Sequence, residues 1–128
     1  LTKEKFCLFM KGFISVIISK KYNSPDLSVL FQREMLAGMP HAREIYENVF
    51  NKMLERVVNL FKEGQSKGFV RKDINPYVVF LSLVHSTDCY MHVNKCQHFI
   101  HGMIPHLPDQ MKQYQDQVYK IFVEGILV

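Results

Sequence analysis

Apolar residues recur along most of the chain at intervals of three and four, which predicts helices throughout. The first helix is predicted over about Leu1 to Lys20. Phe6, Phe9, Met10, Phe13 and Ile17 form one apolar stripe on it, and Cys7, Ile14 and Ile18 form a second. A helix that is apolar on more than one face belongs at the centre of a fold. Tyr22 to Asp26 interrupts the pattern. There Ser24 suits a helix cap, Pro25 the first helical position and Asp26 the positive end of the helix dipole. The second helix runs to about Leu36, with Leu27, Leu30, Phe31 and Met35 as its expected buried face, and Ala37-Gly38 ends it. A long third helix is expected from Met39-Pro40 to about Lys67. Its broad stripe runs from Ile45 and Tyr46 through Val49, Phe50, Met53, Leu54 and Val57 to Leu60 and Phe61. Arg43 with Glu47, and Glu63 with Lys67, are four apart and suit ion pairs on the wet side.

The thirteen residues from Gly64 to Pro76 form a hinge between the two longest helical patterns. Gly68 stands where a helix end needs positive φ. Asn75-Pro76 supplies a cap and a first helical residue for the next helix. That fourth helix is predicted over Pro76–Cys96, and a loop with Gly102, Pro105 and Pro108 follows it. The last helix is predicted from Pro108-Asp109 to the C-terminus. On it Met111, Val118 and Gly125, with Tyr114, Ile121 and Val128, fall at seven-residue spacing, as in a helix–helix seam, and Phe122 and Ile126 widen that seam. The short β-branched runs lie inside helical periods, so no strand is predicted.

Composition narrows the class. The chain has 128 residues, 48% hydrophobic and 22% charged, which suits one globular domain over residues 1–128. No apolar run reaches the ~18 residues of a membrane span, and the N-terminus has no small-residue cleavage site. Cys7, Cys89 and Cys96 are odd in number and form no CxxC pair, which points to a reduced, cytoplasmic protein. The opening directly on a helix suggests a further segment upstream. The net charge of +4 gathers near the N-terminus at Lys3, Lys5, Lys11, Lys20 and Lys21, without the dense basic stripe of a nucleic-acid surface.

Five helices in this order, with these breaks, resemble the C-terminal regulatory domain of TetR-family transcriptional regulators. The resemblance rests on Ser24-Pro25 leading to Phe31-Gln32-Arg33-Glu34-Met35 and on the long third helix. It rests further on Gly64, on Gly68-Phe69-Val70-Arg71 followed by Asp73-Ile74-Asn75-Pro76, and on the ending Ile121 to Leu127. It implies an all-α, five-helix orthogonal bundle that binds a small apolar or amphipathic effector and forms a homodimer through its last two helices. Candidate pairing residues are Leu83, Ser86 and Tyr90 on the fourth helix. On the last helix they are Met111, Tyr114, Val118, Ile121, Phe122 and Gly125. The family's helix-turn-helix domain is absent from this stretch, so DNA is a partner only through that missing domain.

The candidate effector pocket lies among the first four helices. Phe9, Phe13, Met35, Tyr46, Phe50, Met53, Phe80 and Leu81 are its apolar candidates, and His85, Asp88, Cys89 and His92 its polar ones. His85, Cys89, His92 and Cys96 share one helix face within roughly 60°. Imidazole and thiol suit zinc or copper, but one straight helix cannot aim four ligands at one ion, so no metal or other cofactor is assigned. Lining of a ligand cavity and plain packing are the other readings of this stripe. His98, His101 and His106 crowd the following loop as surface or metal-binding histidines. No serine or cysteine sits in a strained nucleophile turn and no phosphate-cradling loop is present, so no enzyme is expected. Glu34 and the Arg71-Lys72-Asp73 cluster read as caps or structural ion pairs. The competing class is a stand-alone helical metal-responsive or scaffold protein.

Overall fold

Thr2 starts the first helix by accepting the Lys5 N–H on its Oγ1 at 3.2 Å. The computed structural model describes the backbone of residues 1–95 and 111–128 and the side chains of residues 1–88 and 111–128. Helix α1, Lys3–Asn23, buries Phe6, Met10, Ile14, Ile17 and Ile18, so the two expected stripes merge into one face. Phe9 and Val16 lie off that face and stay in contact with water. The helix outlasts its expected end at Lys20 because nothing before Pro25 prevents continuation, and the Ser24 N–H still bonds the Lys20 carbonyl at 3.0 Å. It touches each of the other four helices, the central position that its broad apolar surface implied.

Helix α2, Pro25–Leu36, follows with Ser24 at its cap, although the serine side chain makes no capping hydrogen bond. The face expected to be buried is not. Leu27 is 68% and Leu30 58% exposed, and α2 contributes no fully buried residue. Its apolar stripe overlooks a cavity instead of a packed core. Gly38 at φ 83° and Met39 at φ 61° then reverse the chain. Of the two roles open to Glu34, ion pair or cap, the structure shows the second: its Oε2 accepts the N–H groups of His41 and Ala42 in this turn, both at 2.9 Å. The left-handed pair delays the third helix from Met39 to Arg43. Helix α3 is an α turn Arg43–Ile45, a π-helical turn Tyr46–Phe50 and an α-helix Asn51–Lys67 in direct succession. Both expected i,i+4 pairs form on it, Arg43–Glu47 at 2.9 Å and Lys67–Glu63 at 3.1 Å.

Gly68 ends α3 at φ 86°, as a left-handed helix end requires. Gly64, one turn earlier, is buried because the returning chain packs on it: a Cβ there would lie 2.6 Å from Val70 Cγ2 and 2.9 Å from Phe69 Cε2. Gln65 Nε2 donates to the carbonyls of Arg71 and Ile74, each at 2.9 Å, and Arg71 pairs with Asp73 at 2.7 Å. Asn75 caps helix α4, Pro76–Lys95, accepting the Tyr77 N–H at 2.9 Å. The expected end of this helix at Cys96, the loop with His98, His101 and His106, and the start at Pro108-Asp109 lie outside the described residues.

Helix α5, Met111–Phe122, does not reach the C-terminus as expected. It gives way at Val123 to a 3-10 turn, Glu124–Ile126, after which Val70 and Leu127 form an isolated antiparallel bridge. The reason is competition for backbone groups: Arg71 N–H bonds the Ile126 carbonyl at 2.9 Å and Val128 N–H the Phe69 carbonyl at 3.1 Å. The hinge thus captures the last residues. Among the described residues there is no named strand, and the architecture is all-α. No described helix is long and apolar enough to cross a membrane. The core runs from Phe6, Met10 and Ile14 on α1 through Val57, Val58 and Phe61 on α3 to Phe80 and Leu83 on α4. Val118, on α5, and Val123, just beyond it, complete it.

Gly64→Ala tests the hinge. Alanine gains about 0.8–1 kcal/mol of helix propensity, but overpacking costs about 1–3 kcal/mol. Val70 is 0% exposed and too short to swing aside, so the overlap dominates. Urea unfolding is expected to show a net loss of about 1–2 kcal/mol; a more stable variant would show that the Gly64–Val70 contact is slack.

Candidate functional site

The chemistry gathers where α1, α2, α3 and α4 face one another. A cavity of about 330 Å³ is walled there. Its apolar lining comes from Ile17 on α1, from Leu27, Phe31 and Met35 on α2, from Ile45, Phe50 and Met53 on α3 and from Val84 on α4. The π-helical turn shapes one wall. Within it Tyr46 and Phe50 stack with centroids 4.5 Å apart, and Phe31 from α2 stacks on Tyr46 at 5.7 Å. Phe80, fully buried, ties Phe50 back to α1 through Phe13, at 5.6 and 6.3 Å. The cavity therefore rests on a continuous run of rings.

Its polar side is built on Lys21. Three acceptors meet the three N–H bonds of the ammonium: the Val84 carbonyl and Thr87 Oγ1 at 2.5 Å each, and Asp88 Oδ1 at 2.7 Å. Thr87, the one buried polar residue among those described, donates its own hydroxyl to the Val84 carbonyl at 2.6 Å. Burial lowers the Lys21 pKa, and the adjoining Asp88 carboxylate opposes the shift. The second Asp88 oxygen faces His85 Nδ1 at 3.8 Å. Because Lys21 is saturated, this carboxylate oxygen and the His85 imidazole are the groups left to meet a ligand, together with Ser28 and Gln32 on α2. Gln32 Nε2 is buried with no hydrogen-bond partner among the described residues, an expensive arrangement for an amide donor.

The cavity unites Met35, Phe50, Met53, His85 and Asp88 of the sequence candidates. Tyr46 stands behind the wall, stacked on Phe50, and burial raises its pKa. Phe80 belongs to the core. Leu81 is 40% exposed and lines no part of the cavity, although helical spacing puts it one turn before His85 on the same side of α4. Phe9 and Phe13 line a different groove, between α1 and α3, because the stripe on which they were placed divides over two faces of α1. The side chains of Cys89, Tyr90 and His92, and all of Cys96, lie outside the described residues. Among those described, no three His, Cys, Asp or Glu side chains gather as a metal set. Lys21 escaped the sequence reading. It was counted only as surplus charge, although it follows Ile17 by one turn on the buried face.

The pairing candidates also need correction. Leu83 at 0% and Val118 at 4% exposure are buried within the chain itself. Ser86 Oγ donates to the Leu83 carbonyl at 2.9 Å, and the Ser86 carbonyl accepts the Tyr114 hydroxyl at 2.9 Å. Met111, Tyr114 and Phe122 pack at the edge of the same core. Seven-residue spacing marks a helix–helix seam without saying whose helix fills it, and here α4 of the same chain fills much of it. Of the candidates on α5 Ile121 stays 64% exposed, and Gly125 is exposed in the 3-10 turn.

Two substitutions check these assignments. Asp88→Asn leaves the Lys21 ammonium partly buried without its carboxylate and is expected to cost about 1–3 kcal/mol. The double variant Lys21→Met with Asp88→Asn is expected to lose less, since replacing a whole ion pair by uncharged groups is milder than breaking it; chemical denaturation of both shows whether the order holds. For Glu34, the His41 backbone N–H holds the carboxylate below its ordinary value of 4.5. A depressed carboxyl pKa gives stability that is complete above the ordinary value and is lost as pH falls through the folded one. Glu34→Gln should therefore unfold at a lower temperature than the parent at pH 7, and the two melting temperatures should converge in acid. A constant gap would show that charge is not what holds the turn.

Set beside protein-family models, curated proteins and solved structures, the chain matches none.

Proposed function

We propose that this chain is the effector-sensing and pairing domain of a TetR-like transcriptional regulator, binding a small apolar or amphipathic molecule in the cavity between α1, α2, α3 and α4. The cavity itself carries the reading: about 330 Å³, apolar over most of its wall, with Asp88 and His85 at one side. That is the usual composition of a small-molecule site, in which a few polar groups orient a mainly hydrophobic ligand.

The position of α4 supplies the mechanism. One side of it lines the cavity through Val84, His85 and Asp88. Another side holds α5, through buried Leu83 and the Tyr114–Ser86 hydrogen bond. A ligand pressing on Val84–Asp88 thus bears on the helix that positions α5. Pairing of two subunits falls to the α5 side, where Ile121 stays exposed. The effector shifts the arrangement of the pair only as far as its affinity differs between the two arrangements.

A neutral dye whose emission rises in apolar surroundings, N-phenyl-1-naphthylamine, is expected to bind the protein. Ser28→Phe, which projects a ring into the cavity from α2, is expected to weaken it at least about tenfold. In sedimentation, the protein should be a dimer at micromolar concentration, and Ile121→Glu should be monomeric. Dye binding untouched by Ser28→Phe would remove the cavity from the mechanism, and a monomeric parent would remove the pairing. Coding sequence upstream of the Leu1 codon that specifies no helix-turn-helix unit would overturn the regulator reading as a whole.

A further inference from the structure

A second, shallower groove of about 420 Å³ lies between α1 and α3, beyond the wall formed by Ile17 and Met53. Its bed is aromatic and aliphatic. The Phe9 and Phe13 rings lie 9° from parallel with centroids 6.2 Å apart, and Val16 continues the surface one turn on. Phe9 is 37% and Val16 52% exposed, so this bed is open to water. Lys20, Lys52 and Arg56 line the same groove, and no Asp or Glu does. Among the described residues none of these three cations takes part in an ion pair, whereas Lys21, Arg43, Lys67 and Arg71 all do.

The two halves of this observation point to one ligand chemistry. Open apolar surface alone would suit any hydrophobe, and surface cations alone would be content with water. An apolar bed flanked by unpaired cations favours a molecule that joins an apolar chain to an anionic end. A carboxylate suits the cations well, because the planar Arg56 guanidinium can take both of its oxygens while a lysine ammonium adds a point charge. We propose that the groove binds single-chain alkyl carboxylates, the chain lying over Phe9, Phe13 and Val16 and the carboxylate among Lys20, Lys52 and Arg56. This site is independent of the effector reading, since it shares only Ile17 and Met53 with the cavity and includes nothing from α2 or α4.

The test titrates decanoate, below its micellar concentration, into the intact protein, by calorimetry and by NMR of labelled methyl groups. Decanoate is expected to bind and to shift the Val16 and Val57 methyls. Acetate, which lacks the chain, and decylammonium, which reverses the charge, are expected to bind at least about tenfold more weakly. Lys52→Gln with Arg56→Gln is expected to weaken decanoate about tenfold, with an unchanged unfolding midpoint because both residues are exposed. Raising ionic strength from about 0.05 to about 0.5 M should weaken binding in the same direction. Equal affinity for decylammonium, or indifference to the double variant, would overturn the proposal. So would shifts confined to Val84 and Met35 that vanish in Ser28→Phe, which would place decanoate in the cavity and leave the effector reading standing. Groove binding that survives Ser28→Phe supports the proposal whatever becomes of that reading.

Discussion

The fold depends on a missing side chain. Gly64 lets Val70 and Phe69 fold back on α3 at a distance that any Cβ would block. That approach fixes the direction in which the chain leaves α3 and therefore where α4 begins. The same turn offers its backbone to the end of the chain, where the Val70–Leu127 bridge and the bonds through Arg71 and Val128 anchor the residues after α5. One close contact thus sets the relation of α3, α4 and the C-terminal segment, and Phe61, Val118 and Val123 fill the core between them.

Opposite the hinge, α2 is held differently. It has no fully buried residue, and the turn after it relies on two left-handed residues and the Glu34 carboxylate. Much of its apolar stripe faces a cavity or solvent. A helix held by so little apolar contact contributes less to stability than α1 or α3 and can yield at low cost, which suits a wall that admits a ligand. The rigid side of the cavity is the opposite one, where Lys21 binds α1 to α4 through three acceptors and Phe80 ties Phe50 to Phe13. In the proposed mechanism a ligand enters on the yielding side and acts on the rigid one.

Local physical chemistry was legible in the sequence. Gly68 as a left-handed helix end, Asn75-Pro76 as a helix start and the two i,i+4 ion pairs each depend on residues within a few positions of one another, and each stands in the structure as the spacing indicates. Met35, Phe50, Met53, His85 and Asp88 were legible as cavity residues because helical periodicity places them on inward faces. Periodicity has no power over the π-helical turn at Tyr46–Phe50, which inserts a residue into an otherwise regular pattern. It also gave Lys21 no role, because a lysine's partners are long-range and here lie 63 to 67 positions away.

The sequence by itself determined that the chain is helical, where most helices begin, and which faces are apolar, since caps, breakers and amphipathic stripes act over one or two turns. Only the tertiary structure decided what each apolar face meets. Leu83 and Val118 meet their own chain, Leu27 and Leu30 remain largely in contact with water, and Phe9 and Phe13 open onto a cation-lined groove. It also decided that α5 stops at Phe122, because the hinge competes successfully for the backbone groups of the last residues. An apolar stripe specifies that something must cover it; which element does so depends on contacts between residues far apart in the chain, and no local pattern encodes those.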